Sequence, residues 1–219
     1  MRIGIYGCSW AAGRSWEAPS IGEELAKEKK EWTIYNYARA GLGMDGIAYL
    51  YERTAHKNDF NIVKFTGLNR KTIIHKDLNL NLHDGCKQIT ENYFKLNKDN
   101  ISNFATFRDA GYFNSHKFDT SILESGYKCF MTYRKADYLK TLSILLTKYL
   151  KNKADIAYCH RKDHGKVYLV ESTENFIDNF DSYVYDEGAH FNEEGCNVEA
   201  KWLTKMISFS LLFKNKSHN

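Results

Sequence analysis

Ser9, Asn69 and His190 are the residues whose types could carry covalent chemistry together, and each stands where a turn would expose it. A serine hydroxyl becomes a good nucleophile when a base takes its proton. A histidine supplies that base, and a carboxylate fixes the imidazole tautomer and supports its positive charge. Ser9 lies in Gly7-Cys8-Ser9-Trp10, directly after a short apolar run. His190 lies in Tyr185-Asp186-Glu187-Gly188-Ala189-His190-Phe191-Asn192, where two carboxylates precede it. Asn69 ends Gly67-Leu68-Asn69, which follows another apolar run, so its amide would point to the same edge as Ser9. Each also has a plainer reading. Ser9 could cap a helix, the acids could line a solvated loop, and Gly and Asn are ordinary turn residues.

The elements that must position these groups follow from the hydropathy pattern. Arg2 to Tyr6 is a buried-strand pattern closed by Gly7, and Glu17 to Lys30 has apolar residues at helical spacing. Trp32 to Tyr37 reads as a second strand, followed by a glycine-rich turn and a helix through Ile47, Leu50, Tyr51 and Thr54. Phe60 to Thr66 is a third strand. Strands alternating with helices imply a parallel sheet covered on both faces. Residues 71–133 break this rhythm and read as an insertion after strand three, part of a substrate-facing cap. Lys135 to Leu150 is an amphipathic helix, and Asp155 to Cys159 and Lys166 to Val170 read as two more strands. Asn192 to Phe213 is the final helix, with Asn192 placed to cap it. The expected fold is a three-layer α/β/α sandwich, residues 1–219 forming one domain.

Composition excludes several classes. The 219 residues are 43% hydrophobic with one proline, which rules out a disordered or collagen-like chain. Mean hydropathy is -0.55, and no apolar run is long enough for a spanning helix. The net charge of +4 arises from 31 basic residues interleaved with 27 acidic ones, so no nucleic-acid partner is expected. Five scattered cysteines without a CxxC pair suggest neither a disulfide framework nor a zinc ribbon. A cytoplasmic location is the expectation, because no signal peptide is read at the N-terminus.

Order and placement of the turns resemble the SGNH/GDSL hydrolase superfamily of esterases, lipases and acyltransferases. The family's Gly-Asp-Ser block corresponds to Gly7-Cys8-Ser9, its Asn and Gly after strand two to Asn36 and Gly41, its Gly-x-Asn to Gly67-Leu68-Asn69, and its Asp-x-x-His to Glu187-Gly188-Ala189-His190. The resemblance implies a flavodoxin-like fold with Ser9 as nucleophile and His190 as base, oriented by Glu187 or, alternatively, Asp186. It further implies an oxyanion hole from the Ser9 and Gly41 N–H groups and the Asn69 amide. Two positions depart from the family pattern: Cys8 replaces an Asp, and Glu187 replaces another. Cys8 is thereby a second candidate nucleophile, although its position should turn it toward the sheet as a small buried hydrophobe.

Three further motifs carry less. Gly41-Leu42-Gly43-Met44-Asp45-Gly46 matches GxGxxG, but the next strand ends without the acid that a dinucleotide ribose needs. His160-Arg161-Lys162-Asp163-His164 has a metal-ligand spacing, yet it reads as a polar turn between two strands. The aromatic residues of the insertion read as a satellite core rather than as a sugar or base platform. The SGNH/GDSL resemblance implies hydrolysis of a short-chain acyl ester through an acyl-Ser9 intermediate, such as an O-acetyl group on a carbohydrate, with no metal or cofactor. An O-acyltransferase and a non-catalytic binding module on the same fold remain the alternatives.

Overall fold

The computed structural model describes residues 1–13, 19–39, 42–67, 70–74, 88–89, 104–108, 111–113, 136–184 and 190–216. Strand β1 (Arg2–Tyr6) runs through the middle of the molecule. Helices α1 (Ser9–Ala12) and α2 (Ile21–Glu28) follow, then β2 (Thr33–Asn36), α3 (Met44–Thr54) and β3 (Phe60–Phe65). Four short strands come next: β4 (Arg70–Ile74), β5 (Gln88–Ile89), β6 (Phe104–Arg108) and β7 (Gly111–Phe113). The chain closes with α4 (Ala136–Lys153), β8 (Ile156–Cys159), α5 (Lys162–Tyr168), β9 (Glu171–Ser172), α6 (Thr173–Phe176) and α7 (Glu193–Lys216).

The main sheet has the order β5-β2-β1-β3-β8-β9. Five of these strands are parallel, and their order is that of the flavodoxin-like doubly wound fold. The short edge strand β5 pairs antiparallel with β2 at the edge of this parallel sheet. Alternation along β1 sends Ile3 and Ile5 to one face and Tyr6 to the other, and all three are fully buried. On the first face Ile3, Ile5, Phe60 and Ile62 pack under α2 and α7, through Ile21, Leu25, Leu203 and Ile207. On the second face Tyr6, Val63 and Phe65 pack under α3, α4 and α5, through Ile47, Leu150 and Tyr168. Burial on both faces explains why the strands read as continuous apolar runs.

Local signals set several boundaries. Ser20 and Glu23 form a reciprocal capping box at the start of α2: Glu23 N–H donates to Ser20 Oγ at 3.2 Å, and Ser20 N–H donates to the Glu23 carboxylate at 2.5 Å. The helix is therefore shorter than the Glu17 to Lys30 expectation. At the start of α7, Gly195 N–H donates to Asn192 Oδ1 at 2.8 Å, the cap read from sequence.

One segment departs from the sequence reading. Lys166 to Val170 is not a strand: it is the second half of α5 with its left-handed end at Leu169 (φ 54). Tyr168 donates its hydroxyl to the Thr66 carbonyl at 2.6 Å, and this tertiary anchor outweighs the β-propensity of Val and Tyr. The last parallel strand is instead Glu171–Ser172. His164 correspondingly lies within α5 and not in a turn. Within 71–133 the described segments also contain strands that lacked a clear period. Three of the short strands form a separate antiparallel sheet of order β4-β6-β7. It joins the main body where Gly43 N–H donates to Thr72 Oγ1 and Thr72 N–H donates to the Asp45 carboxylate.

Candidate active site

Ser9 is the first residue of α1, immediately beyond the C-terminal end of β1, and Cys8 is the residue before the helix. A four-residue helix cannot satisfy its own backbone, because the last carbonyls of any helix lack intrahelical partners. Here the sheet supplies them. Asn36 at the end of β2 donates its amide to the Ala11 carbonyl at 3.2 Å, and Lys64 of β3 donates to the Trp10 carbonyl at 3.2 Å. Asn36 also accepts from Ala38 N–H at 3.0 Å, so the strand-two turn is held to the same helix. Gly7 permits this close approach. A Cβ there would stand 2.8 Å from the Ala11 Cβ and 3.0 Å from the Lys64 carbonyl oxygen. Ser9 N–H, at the first helical position, has no intrahelical acceptor.

His190 arrives from the far end of the chain. Val184 and Phe191 form an antiparallel bridge, and Asn192 N–H donates to the Tyr183 carbonyl at 2.8 Å. These contacts fix the return of the chain into α7. Phe191 is buried against Ile177, Phe180 and Cys196. The result is a direct contact: Ser9 Oγ and His190 Nε2 stand 2.9 Å apart, although 181 positions separate them. Both residues are partly accessible. With Oγ–H donating to a neutral Nε2, the imidazole is placed to take the hydroxyl proton.

The other expected site residues divide in two. Cys8 is buried, in agreement with its reading as a small packed hydrophobe. Gly41, Asn69, Asp186 and Glu187 lie outside the described residues. Of the oxyanion and acid assignments, the described structure therefore contains Ser9 alone.

Three buried residues to which the sequence reading gave no place at the site sit behind the pair. His160, at the end of β8, is fully buried with its ring stacked on Trp10 at 4.9 Å and edge-on to Phe191 at 4.5 Å. Its Nδ1 faces the Thr173 hydroxyl at 3.3 Å. It is thus a wedge between the neighbours of Ser9 and His190, and the HxxxH spacing reflects packing. Among the described residues no cluster of His, Cys, Asp or Glu could hold a metal. Lys64 and Glu199 form an ion pair with both side chains fully buried, at 2.7 and 2.8 Å to the two carboxylate oxygens. Burial pushes the Glu199 carboxyl above its ordinary range, against the downward pull of the Lys64 ammonium. The one sequence signal for this pair was a lysine inside the apolar strand FNIVKFT.

No protein-family model matches the chain, and no curated protein matches it. Among solved structures, the lipase/acylhydrolase from Enterococcus faecalis is similar over 94% of each chain, with 14% sequence identity and a TM-score of 0.43. The strand order carries the fold assignment. Among the described residues, no helix is long and apolar enough to cross a membrane.

Proposed function

We propose that this chain is a serine esterase of the SGNH/GDSL type, acting on a short-chain acyl ester such as an O-acetyl group on a carbohydrate. The 2.9 Å contact between Ser9 Oγ and His190 Nε2 is the observation that supports it. In this reading His190 takes the Ser9 proton as Oγ attacks the ester carbonyl. The tetrahedral intermediate holds its negative charge on the former carbonyl oxygen, facing the Ser9 N–H, the Gly41 N–H and the Asn69 amide. Loss of one such donor costs about 2.7–4 kcal/mol in well-studied hydrolases. Collapse breaks the C–O bond, and His190 gives its proton to the departing alkoxide, leaving acyl-Ser9. Water then repeats the sequence: His190 takes its proton, hydroxide adds to the acyl carbon, and the carboxylic acid leaves as Oγ regains a proton. Glu187 supports the imidazolium, with Asp186 as the alternative acid. No step requires a metal or a nucleotide.

A fluorophosphonate probe, followed by peptide mapping, tests the nucleophile; p-nitrophenyl esters and acetylated sugars test the substrate class. Labelling at Ser9 with release of acetate is the expected result. Absence of label on folded protein would instead make the chain a binding module. Transfer to an added sugar acceptor in excess of hydrolysis would make it an acyltransferase.

A further inference from the structure

We propose that the buried Lys64–Glu199 ion pair is a positioning device that sets the alignment of Ser9 with His190. The inference rests on the esterase reading given above. Along β3, Phe60 and Ile62 face the α2/α7 layer with apolar side chains, and Lys64 continues that row at the end nearest the site. An apolar residue would continue the core there. Instead a fully buried ammonium makes three hydrogen bonds, two to Glu199 and one to the Trp10 carbonyl. Its nitrogen also lies 5.4 Å from the centroid of the Phe191 ring. Trp10 directly follows Ser9, and Phe191 directly follows His190. Glu199 belongs to α7, the helix that begins just after His190. One cation thus touches the neighbours of both members of the pair and the helix that anchors one of them.

Stability does not account for this choice. Removing two charges from water is costly, and well-packed apolar replacements of buried ion pairs are often neutral or stabilising. Directionality does account for it. Apolar contacts fix distance loosely, whereas three hydrogen bonds from one ammonium fix where α1 sits relative to α7. A displacement of about 1 Å between reacting groups can cost about 10²-fold in rate.

The experiment replaces both charges together, as Lys64→Met with Glu199→Leu. Lys64→Leu with Glu199→Met is made in parallel as a second packing of the same volume. Each is assayed for thermal midpoint, kcat and KM on p-nitrophenyl acetate, and rate of fluorophosphonate labelling. The expected result is a midpoint equal to or above wild type, kcat and labelling rate lowered roughly ten- to a hundredfold, and KM within about twofold. A folded double variant with wild-type kcat and labelling overturns the proposal. So does failure of both variants to fold, since the pair would then hold the fold and not the alignment. Wild-type protein that neither hydrolyses ester nor labels at Ser9 refutes the esterase reading itself and takes this inference with it.

Discussion

Replacing Ser9 with alanine removes one hydroxyl and one hydrogen bond, and the structure makes the consequences for folding and for activity very different. The folding cost is that of the 2.9 Å contact with His190 at a partly accessible position. Such a bond contributes about 0.5–1.5 kcal/mol. For a chain of this size that corresponds to a fall in Tm of a few degrees, at about 2–4 °C per kcal/mol. The catalytic cost is far larger, because Ser9 supplies the hydroxyl that stands 2.9 Å from His190 Nε2. Removing the nucleophile of a serine protease lowers kcat by roughly 10⁶-fold, and a comparable loss is expected here. Cys8→Ala is the necessary companion, since Cys8 is buried next to Ser9 and is the competing nucleophile. It should retain most activity, with a modest loss of stability from the vacated volume. Initial rates on p-nitrophenyl acetate and thermal melts of both variants decide the matter. An active Ser9→Ala beside an inactive, folded Cys8→Ala would refute the assignment and transfer the reaction to the thiol.

Three more expectations accompany it. Glu187→Gln should lower kcat by up to ~10⁴ while the protein stays folded, and Asp186→Asn much less, by analogy with the serine-protease triad; the reverse ranking in steady-state assays would give the role to Asp186. Asn69→Ala should lower kcat roughly a hundredfold or more with a smaller change in KM, because an oxyanion donor acts mainly in the transition state; parallel loss of folded protein would make Asn69 a structural turn residue. Stability should fall as pH rises above about 9. Burial pushes the Cys159 and Cys196 thiols from an ordinary value of 9.0 up to about 12, so between those values the unfolded chain has lost protons that the native state keeps. The slope is at most ~1.4 kcal/mol per pH unit for each thiol. Denaturant titrations at pH 8, 9 and 10 check it, and a flat or rising stability over that range would show these thiols to be less buried. Native protein should accordingly resist iodoacetamide at Cys159 and Cys196 at pH 8.

Sequence alone determined the elements whose signals are local. The apolar strands around Ile3, Ile34 and Ile62, the amphipathic helix through Leu150 and the Asn192 cap all follow from periodicity or from one side chain reaching its own backbone. Ser9 and His190 were legible as candidates only through the order and placement of their turns, which resemble the SGNH/GDSL blocks; neither segment alone singled them out. Segment 166–170 was not legible. Its β-branched and aromatic residues favour a strand, yet Lys166 to Tyr168 are helical, with the Tyr168 hydroxyl anchored to the Thr66 carbonyl across the fold. The edge strand β5 was likewise decided by pairing with β2, since two residues carry no period of their own. Nor could local sequence show that Lys64 lies against Glu199, or that His160 stands between Trp10 and Phe191. Those contacts join residues far apart in the chain, and a buried charge or imidazole takes its role from the partner opposite it. Chain folding supplied those partners, and with them the 2.9 Å separation of Ser9 and His190.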